Sequence, residues 1–160
     1  MPGTWGHLAR RYREGVFSTP LGTAEWNWVE SLLTDPERVA FREQLTADQR
    51  HGYQAARAAE AILGSDRTGV RAALLHDIGK RHARLGLVGR ALVSVAIRLK
   101  VPLWRRARTY RDHGRIGSEE LAGWGAEALV VEFARNHHDV RPPSIEEAVW
   151  EALCETDKPH

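Results

Sequence analysis

Only one cysteine, Cys154, occurs in 160 residues, so an internal disulfide and a cysteine-cluster zinc site are both excluded. A reducing compartment, the cytoplasm, is the matching expectation. No uncharged apolar run approaches the roughly 18 residues of a membrane-spanning helix. The first twenty residues carry arginines and no seven-residue apolar stretch, so no secretory signal is expected there. Internal repeats and low-complexity segments are absent. One local lack concerns charge: between Ile78 and Arg111 there are ten Lys or Arg and no Asp or Glu. With a net charge of +2 for the whole chain, that local +10 leaves −8 for the remainder. Such asymmetry bears on partners more than the net value does.

What is present points to a folded globule. Hydrophobic residues make up 42% of the chain and there are six Trp, enough for one domain with a core. The pattern is a string of helices, giving an all-α fold with a compact domain over residues 46–160 and extra N-terminal helices in residues 1–45. A segment over Glu25–Leu33 comes first, and Asp35-Pro36 reads as an N-cap and first helical residue. Thr46–Gln49 ("TADQ") and Ser144–Glu147 ("SIEE") have capping-box spacing, Gly64 ends the first of these helices, and Thr68 is placed to cap the next. A long helix over Ala83–Leu99 stops at Val101-Pro102, and shorter ones fit Gly117–Trp124 and Ala126–His138. Trp5, Trp26 and Trp28 read as packing residues.

The histidines are at positions 7, 51, 76, 82, 113, 137, 138 and 160. His76 closes the apolar run Ala72–Leu75 within "LLHDIGK", His51 lies early in an Ala-rich helix, and His137-His138 follow the apolar "LVVEFARN". Polar imidazoles at the ends of buried faces cost free energy unless they find partners, and several of them from different helices satisfy one another most simply around a cation. Imidazole and carboxylate together suit iron, manganese, zinc or nickel better than calcium or magnesium, magnesium remaining compatible. Adjacent His76 and Asp77 project about 100° apart on a helix, so further ligands must come from neighbouring helices. Lys80, at i+4 from His76 and i+3 from Asp77, stands on their side. A cation beside a metal repels it unless an anion sits between them, which makes Lys80 a ligand for a substrate phosphate.

The order of His51, then His76-Asp77, then a distal Asp157 resembles the HD-domain superfamily of metal-dependent phosphohydrolases, and "HDIGK" is the spelling common in its HDIG subgroup. The resemblance covers about residues 46–157. "DHGRIGSEEL" looks like the segment supplying a further histidine, His113, with Gly114 where a proline is usual. "ARNHHD" looks like the later histidine pair, giving His137, with His138 as a second choice. The glycine-tyrosine-proline signature of the cyclic-di-GMP-degrading subgroup is replaced by "DVRPPS". The glutamate that some trinuclear members carry one turn before the first histidine is Ala47, so one or two metals are expected.

The resemblance implies that Asp77 bridges two divalent transition metals, with His51, His76 and Asp157 on one and His113 and His137 or His138 on the other. The implied chemistry is hydrolysis of a phosphate ester, best matched by a nucleotide, as a phosphomonoesterase or phosphodiesterase. Asp77 and Lys80 are then the catalytic pair, Lys80 neutralising a phosphate oxygen with Arg81 or Arg84 assisting. A competing expectation is a catalytically weak regulatory module on the same scaffold. The third is a helical interaction protein whose histidines are unrelated.

Residues 84–108 combine apolar and basic side chains. Leu85, Val88, Leu92, Val95 and Leu99 make one apolar stripe, with Arg90, Ser94 and Arg98 on another side. A packed helix with an arginine edge, a homodimer interface, and a peripheral contact with anionic membrane through Trp104 and Arg105, Arg106 and Arg108 all fit this pattern. Nucleic-acid binding is a variant of the last, and the patch could also draw anionic nucleotides to the site.

Overall fold

The computed structural model describes residues 18–158, which are helical with no strand among them. In chain order the helices are α1 (Thr23–Leu32), α2 (Asp35–Arg42), α3 (Thr46–Leu63), α4 (Arg67–Leu75), a 3₁₀ segment (Ile78–Ala83), α5 (Leu87–Arg98), α6 (Arg105–Arg111), α7 (His113–Gly123), α8 (Ala128–Asn136) and α9 (Glu147–Thr156). The all-α expectation therefore holds over the described residues. Trp5, His7 and His160 lie outside them.

Helix α4 is the centre of the molecule. Every residue from Gly69 to Leu75 is buried, because α3, α8 and α9 all pack against it. Leu74, Leu75, Phe41, Phe133, Leu121 and Leu153 supply much of the core volume. Val29 and Phe41 belong to that same core, so α1 and α2 complete it. Trp26 and Trp28 pack edge-on against Phe41 and Tyr53 at 5.9 and 5.6 Å between ring centroids, in the packing roles expected of them.

Burying α4 from Gly69 onward requires burying Arg71, which pairs with Glu37 of α2 at 2.6 Å and with Glu127 just before α8. Its charge is thereby matched by carboxylates from both neighbours, the condition under which a buried guanidinium is tolerated. Glu37 also accepts from the Thr34 backbone N–H (2.8 Å), so one carboxylate both starts α2 and ties it to α4.

The cap positions shift from the expected residues. Thr34, not Asp35, caps α2, and Pro36 stands second in the helix. Asp66 caps α4 by accepting from Thr68 and Gly69 at 3.1 and 3.2 Å, a role expected of Thr68. The expected boxes at Thr46 and Ser144 do not form: Leu45 and Glu146 hold those cap positions. Gln49 instead donates to the carbonyls of Phe41, Arg42 and Gln44, capping the end of α2 from outside. Helix α6 adds an element to the basic segment for which the sequence pattern assigns no helix.

The largest departure is α5. It begins at Leu87 rather than Ala83, because Ile78–Ala83 winds as a 3₁₀ segment and ends at Arg84 in the left-handed conformation. The stripe of Val88, Leu92 and Leu99 points outward, each being 60% or more exposed. Inward instead are Val93 and Arg90, whose guanidinium meets Asp48 of α3 at 2.5 Å and the Leu85 carbonyl at 3.0 Å. That buried ion pair fixes the helix rotation with the arginine edge turned in.

Candidate metal centre

Three histidines stand at helix junctions: His76 at the C-terminal end of α4, His137 at that of α8, and His113 where α7 follows α6. The last carbonyls of a helix lack intrahelical donors. Each imidazole exploits this by donating its Nδ1 proton to the carbonyl three residues earlier. His76 reaches Ala73 O at 2.8 Å, His113 reaches Tyr110 O at 2.7 Å and His137 reaches Ala134 O at 3.0 Å. A carbonyl only accepts, so Nδ1 carries hydrogen in all three rings. When the rings are neutral, each Nε2 is left with a lone pair.

All three Nε2 atoms converge on Asp77, which is buried to 3% exposure. His113 Nε2 and His137 Nε2 lie 3.1 and 3.5 Å from Oδ1, and His76 Nε2 lies 3.3 Å from Oδ2. None of these three nitrogens, nor Asp77 Oδ1, has a well-directed hydrogen bond. Lone pairs facing a carboxylate across such distances repel unless a cation, either a proton on the ring or a metal ion, lies among them. Two ligands about 2.1 Å from a common metal stand roughly 3.0–3.5 Å apart, the spacing found here.

His51 of α3 and Asp157 after α9 extend the cluster. Asp157 Oδ1 lies 3.0 Å from His51 Nε2 and 3.1 Å from His76 Nε2, and His51 Nε2 is 4.0 Å from Asp77 Oδ2. The donors therefore divide about the two oxygens of Asp77. One group gathers His51, His76 and Asp77, with Asp157 beside them, and the other gathers Asp77, His113, His137 and His138. Either could hold a metal ion. His137 is buried and His138 exposed, their rings 4.0 Å apart, so both histidines of "ARNHHD" are brought to the site.

The electrostatics fit a cation site. Burial opposes charge on His76, but Asp77 and Asp157 outweigh it and push its pKa up to about 10. Burial likewise opposes ionisation of Asp77, but Lys80 and His76 hold it well below the usual carboxylate range. Asp157 is also held low, His76 and His51 overcoming its burial. Although solvent reaches part of His138, crowding and desolvation of its ring by neighbouring groups, with His137 beside it, push its pKa down to about 3. Asp77 and Asp157 thus stay ionised, matched in the metal-free chain by Lys80 and protonated His76, while the nitrogens on the His137–His138 side stay uncharged and ready to donate lone pairs.

The three basic residues expected near the phosphate have different surroundings. Lys80 is buried and its ammonium pairs with Asp77 Oδ2. Arg81 is turned away from the metal ligands: it makes a two-point bond with Glu120 (2.9 and 2.8 Å) and another with Glu43 (3.1 Å). With its guanidinium held by two carboxylates, Arg81 ties the 3₁₀ segment to α7. Arg84 is exposed at the end of the 3₁₀ segment. His82 joins Glu120 at 2.8 Å and stays outside the cluster.

Two residues at the site were not anticipated. Gln44 is buried, donates to the Asp77 carbonyl at 3.4 Å and leaves its own oxygen without a hydrogen bond. It follows α2, distant in sequence from every motif. Phe133 lies 6.1 and 6.0 Å from the rings of His76 and His137 and forms an apolar floor beneath them. It reads in sequence as one more core residue of α8.

Close backbone packing holds the pieces together. A Cβ on Gly79 would lie 2.1 Å from the His113 carbonyl, so the glycine of "HDIGK" lets the 3₁₀ segment touch α7 backbone to backbone. A Cβ on Gly114 would lie 2.8 Å from the Ala134 carbonyl, which brings His113 beside the His137 turn.

No protein-family model matches the chain, and comparisons with curated proteins and with solved structures returned no match.

Proposed function

We propose that the chain is a metal-dependent phosphohydrolase of the HD-domain type, acting on a nucleotide or related phosphate ester. The observation that carries the reading is the division of donors about Asp77, with His113 and His137 facing Oδ1 and His76 and His51 facing Oδ2. The resemblance of "HDIGK" and its flanking histidines to that superfamily points the same way.

In this reading His51, His76 and Asp157 hold one divalent transition metal and His113, His137 and His138 a second, with Asp77 shared. Metals so held supply Lewis-acid polarisation of a phosphoryl oxygen and a lowered pKa for water at neutral pH. The chain's own groups position everything else. The backbone carbonyls of Ala73, Tyr110 and Ala134 fix the three ring orientations through Nδ1, the outer-shell device that keeps Nε2 available. Phe133 closes the floor against water. Lys80, already beside the shared carboxylate, offers its ammonium to a non-bridging phosphate oxygen.

The test is a phosphoester panel on metal-reconstituted protein together with Asp77→Ala. Stoichiometric transition metal and hydrolysis that Asp77→Ala abolishes are expected. Protein that retains no metal, with hydrolysis unchanged in Asp77→Ala, would sink the reading.

A second reading is favoured by the Lys80–Asp77 ion pair, which puts a protein cation against the oxygen a metal needs. It makes the chain a regulatory module on the same scaffold, with no turnover. Metal bound without hydrolysis of any panel substrate would select it.

A further inference from the structure

We infer that the outward face of α5, with the turn after it, docks on an anionic lipid bilayer, an interaction separate from the metal centre. Val88, Leu92 and Leu99 are 60%, 60% and 64% exposed, and Val101 and Trp104 continue the apolar surface into the connection to α6. Around them stand the exposed cations Arg84, Lys100, Arg105, Arg106 and Arg108. No acidic residue occurs anywhere from Ile78 to Arg111 to offset them.

The outward orientation is built in. Rotating the stripe into the core would extract Val93 and break the buried Arg90–Asp48 pair, leaving Asp48 charged and unmatched. Among the described residues nothing else covers this face to the extent that its side chains are buried. An apolar strip flanked by cations, with a tryptophan at its edge, suits the boundary between acyl chains and anionic headgroups, where apolar side chains insert and each nearby cation adds attraction.

Charge complementarity decides against the other occupants. A two-fold contact through this face would bring together two copies of an acid-free segment, each with five exposed cations. A nucleic acid would satisfy the cations but leave Val88, Leu92 and Leu99 against a polar backbone, and Trp104 is the one exposed ring of the patch for base stacking.

The experiment is co-sedimentation of the full chain with phosphatidylcholine vesicles, with and without phosphatidylglycerol. Binding is expected only with phosphatidylglycerol and is expected to weaken with salt. Leu92→Glu should abolish it. Replacing Arg105, Arg106 and Arg108 together by Gln should weaken it on the order of a hundredfold, at about fivefold per cation near the surface. All these side chains face solvent, so helical circular dichroism and thermal unfolding should match the parent chain, which separates loss of docking from loss of fold. Asp77→Ala should bind vesicles as the parent does. Equal binding to neutral vesicles, no binding to anionic ones, or a concentration-dependent dimer that Leu92→Glu dissolves would each overturn the proposal.

Discussion

The ammonium of Lys80 rests on Asp77 Oδ2, the same oxygen that faces His76 and His51. A metal arriving at that oxygen must therefore compete with a charge the chain already places there. The competition and the proposed grip on phosphate make opposite demands on one side chain. Lys80→Met keeps the stem and removes the charge. Metal affinity at the His51–His76–Asp157 group is expected to rise about tenfold or more, while hydrolysis falls by about a hundredfold through loss of the phosphate contact. Calorimetric metal titration beside turnover on the best panel substrate checks both. If metal affinity and turnover fall together, Lys80 is part of the packing and not of the chemistry.

The two donor groups should be separable by substitution. His51→Ala removes a ligand from one and His113→Ala from the other, while Asp77 serves both. Each histidine variant is expected to lose close to one metal equivalent and Asp77→Ala to lose both. Elemental analysis after dialysis against a weak chelator reads this directly. Losses of both metals from His51→Ala alone would mean a single coupled centre.

How much of this was legible in the sequence depends on distance along the chain. His76, Asp77 and Lys80 lie within five residues, so their proximity is legible in the sequence even though the chain leaves α4 there and continues as a 3₁₀ segment. His51, His113, His137, His138 and Asp157 are legible from their place along apolar helices or from the resemblance, and the structure brings the four histidines to Asp77 and Asp157 to His51 and His76. Arg81 and α5 were harder for one physical reason. An arginine's partner is chosen by tertiary packing, and neither Glu120 for Arg81 nor Asp48 for Arg90 is signalled by spacing. The sequence pattern of α5 fits a packed helix, a homodimer interface or a membrane contact alike, and only the Arg90–Asp48 pair fixes which face turns inward. The capping shifts are of another kind: Asp66 and Thr68, or Thr34 and Asp35, are near-equal caps one or two residues apart, and local context decides between them.

Metal binding should release a proton. In the metal-free chain His76 is held protonated up to about pH 10 by Asp77 and Asp157, although burial opposes it. A ligand nitrogen must be deprotonated, so near pH 8 binding displaces that proton and apparent affinity rises with pH toward 10. Stability of the metal-free protein carries the opposite sign. The folded pKa exceeds the unfolded value near 6.5, so the contribution of His76 is complete below about pH 6.5 and is lost as pH climbs through about 10. His138, pushed down to about 3 by local desolvation of its ring and by His137, instead costs stability as pH falls from about 6.5 toward 3. Titration calorimetry in buffers of different ionisation enthalpy counts the proton, and thermal unfolding across pH tests the two slopes. No proton release near pH 8 would remove His76 from the ligand set.

The glycine of "HDIGK" leads to the sharpest structural test, because its role is one of contact and not of chemistry. A methyl at Gly79 would meet the His113 carbonyl at 2.1 Å and the Gly117 amide nitrogen at 2.8 Å, both of them backbone atoms that cannot swing aside. Gly79→Ala must therefore push the 3₁₀ segment off α7. The cost is expected at about 1–3 kcal/mol, the range for an overpacked core. For a chain of this length that is roughly 2–10 °C in melting temperature. His113 rides on α7 while Asp77 immediately precedes the 3₁₀ segment, so the displacement should also lengthen the His113–Asp77 approach, 3.1 Å in the parent. Metal loss in Gly79→Ala should consequently fall on the His113–His137–His138 group and spare the one built on His51, His76 and Asp157. A variant that melts lower yet keeps full metal content would show that the close contact stabilises the fold without setting the metal geometry.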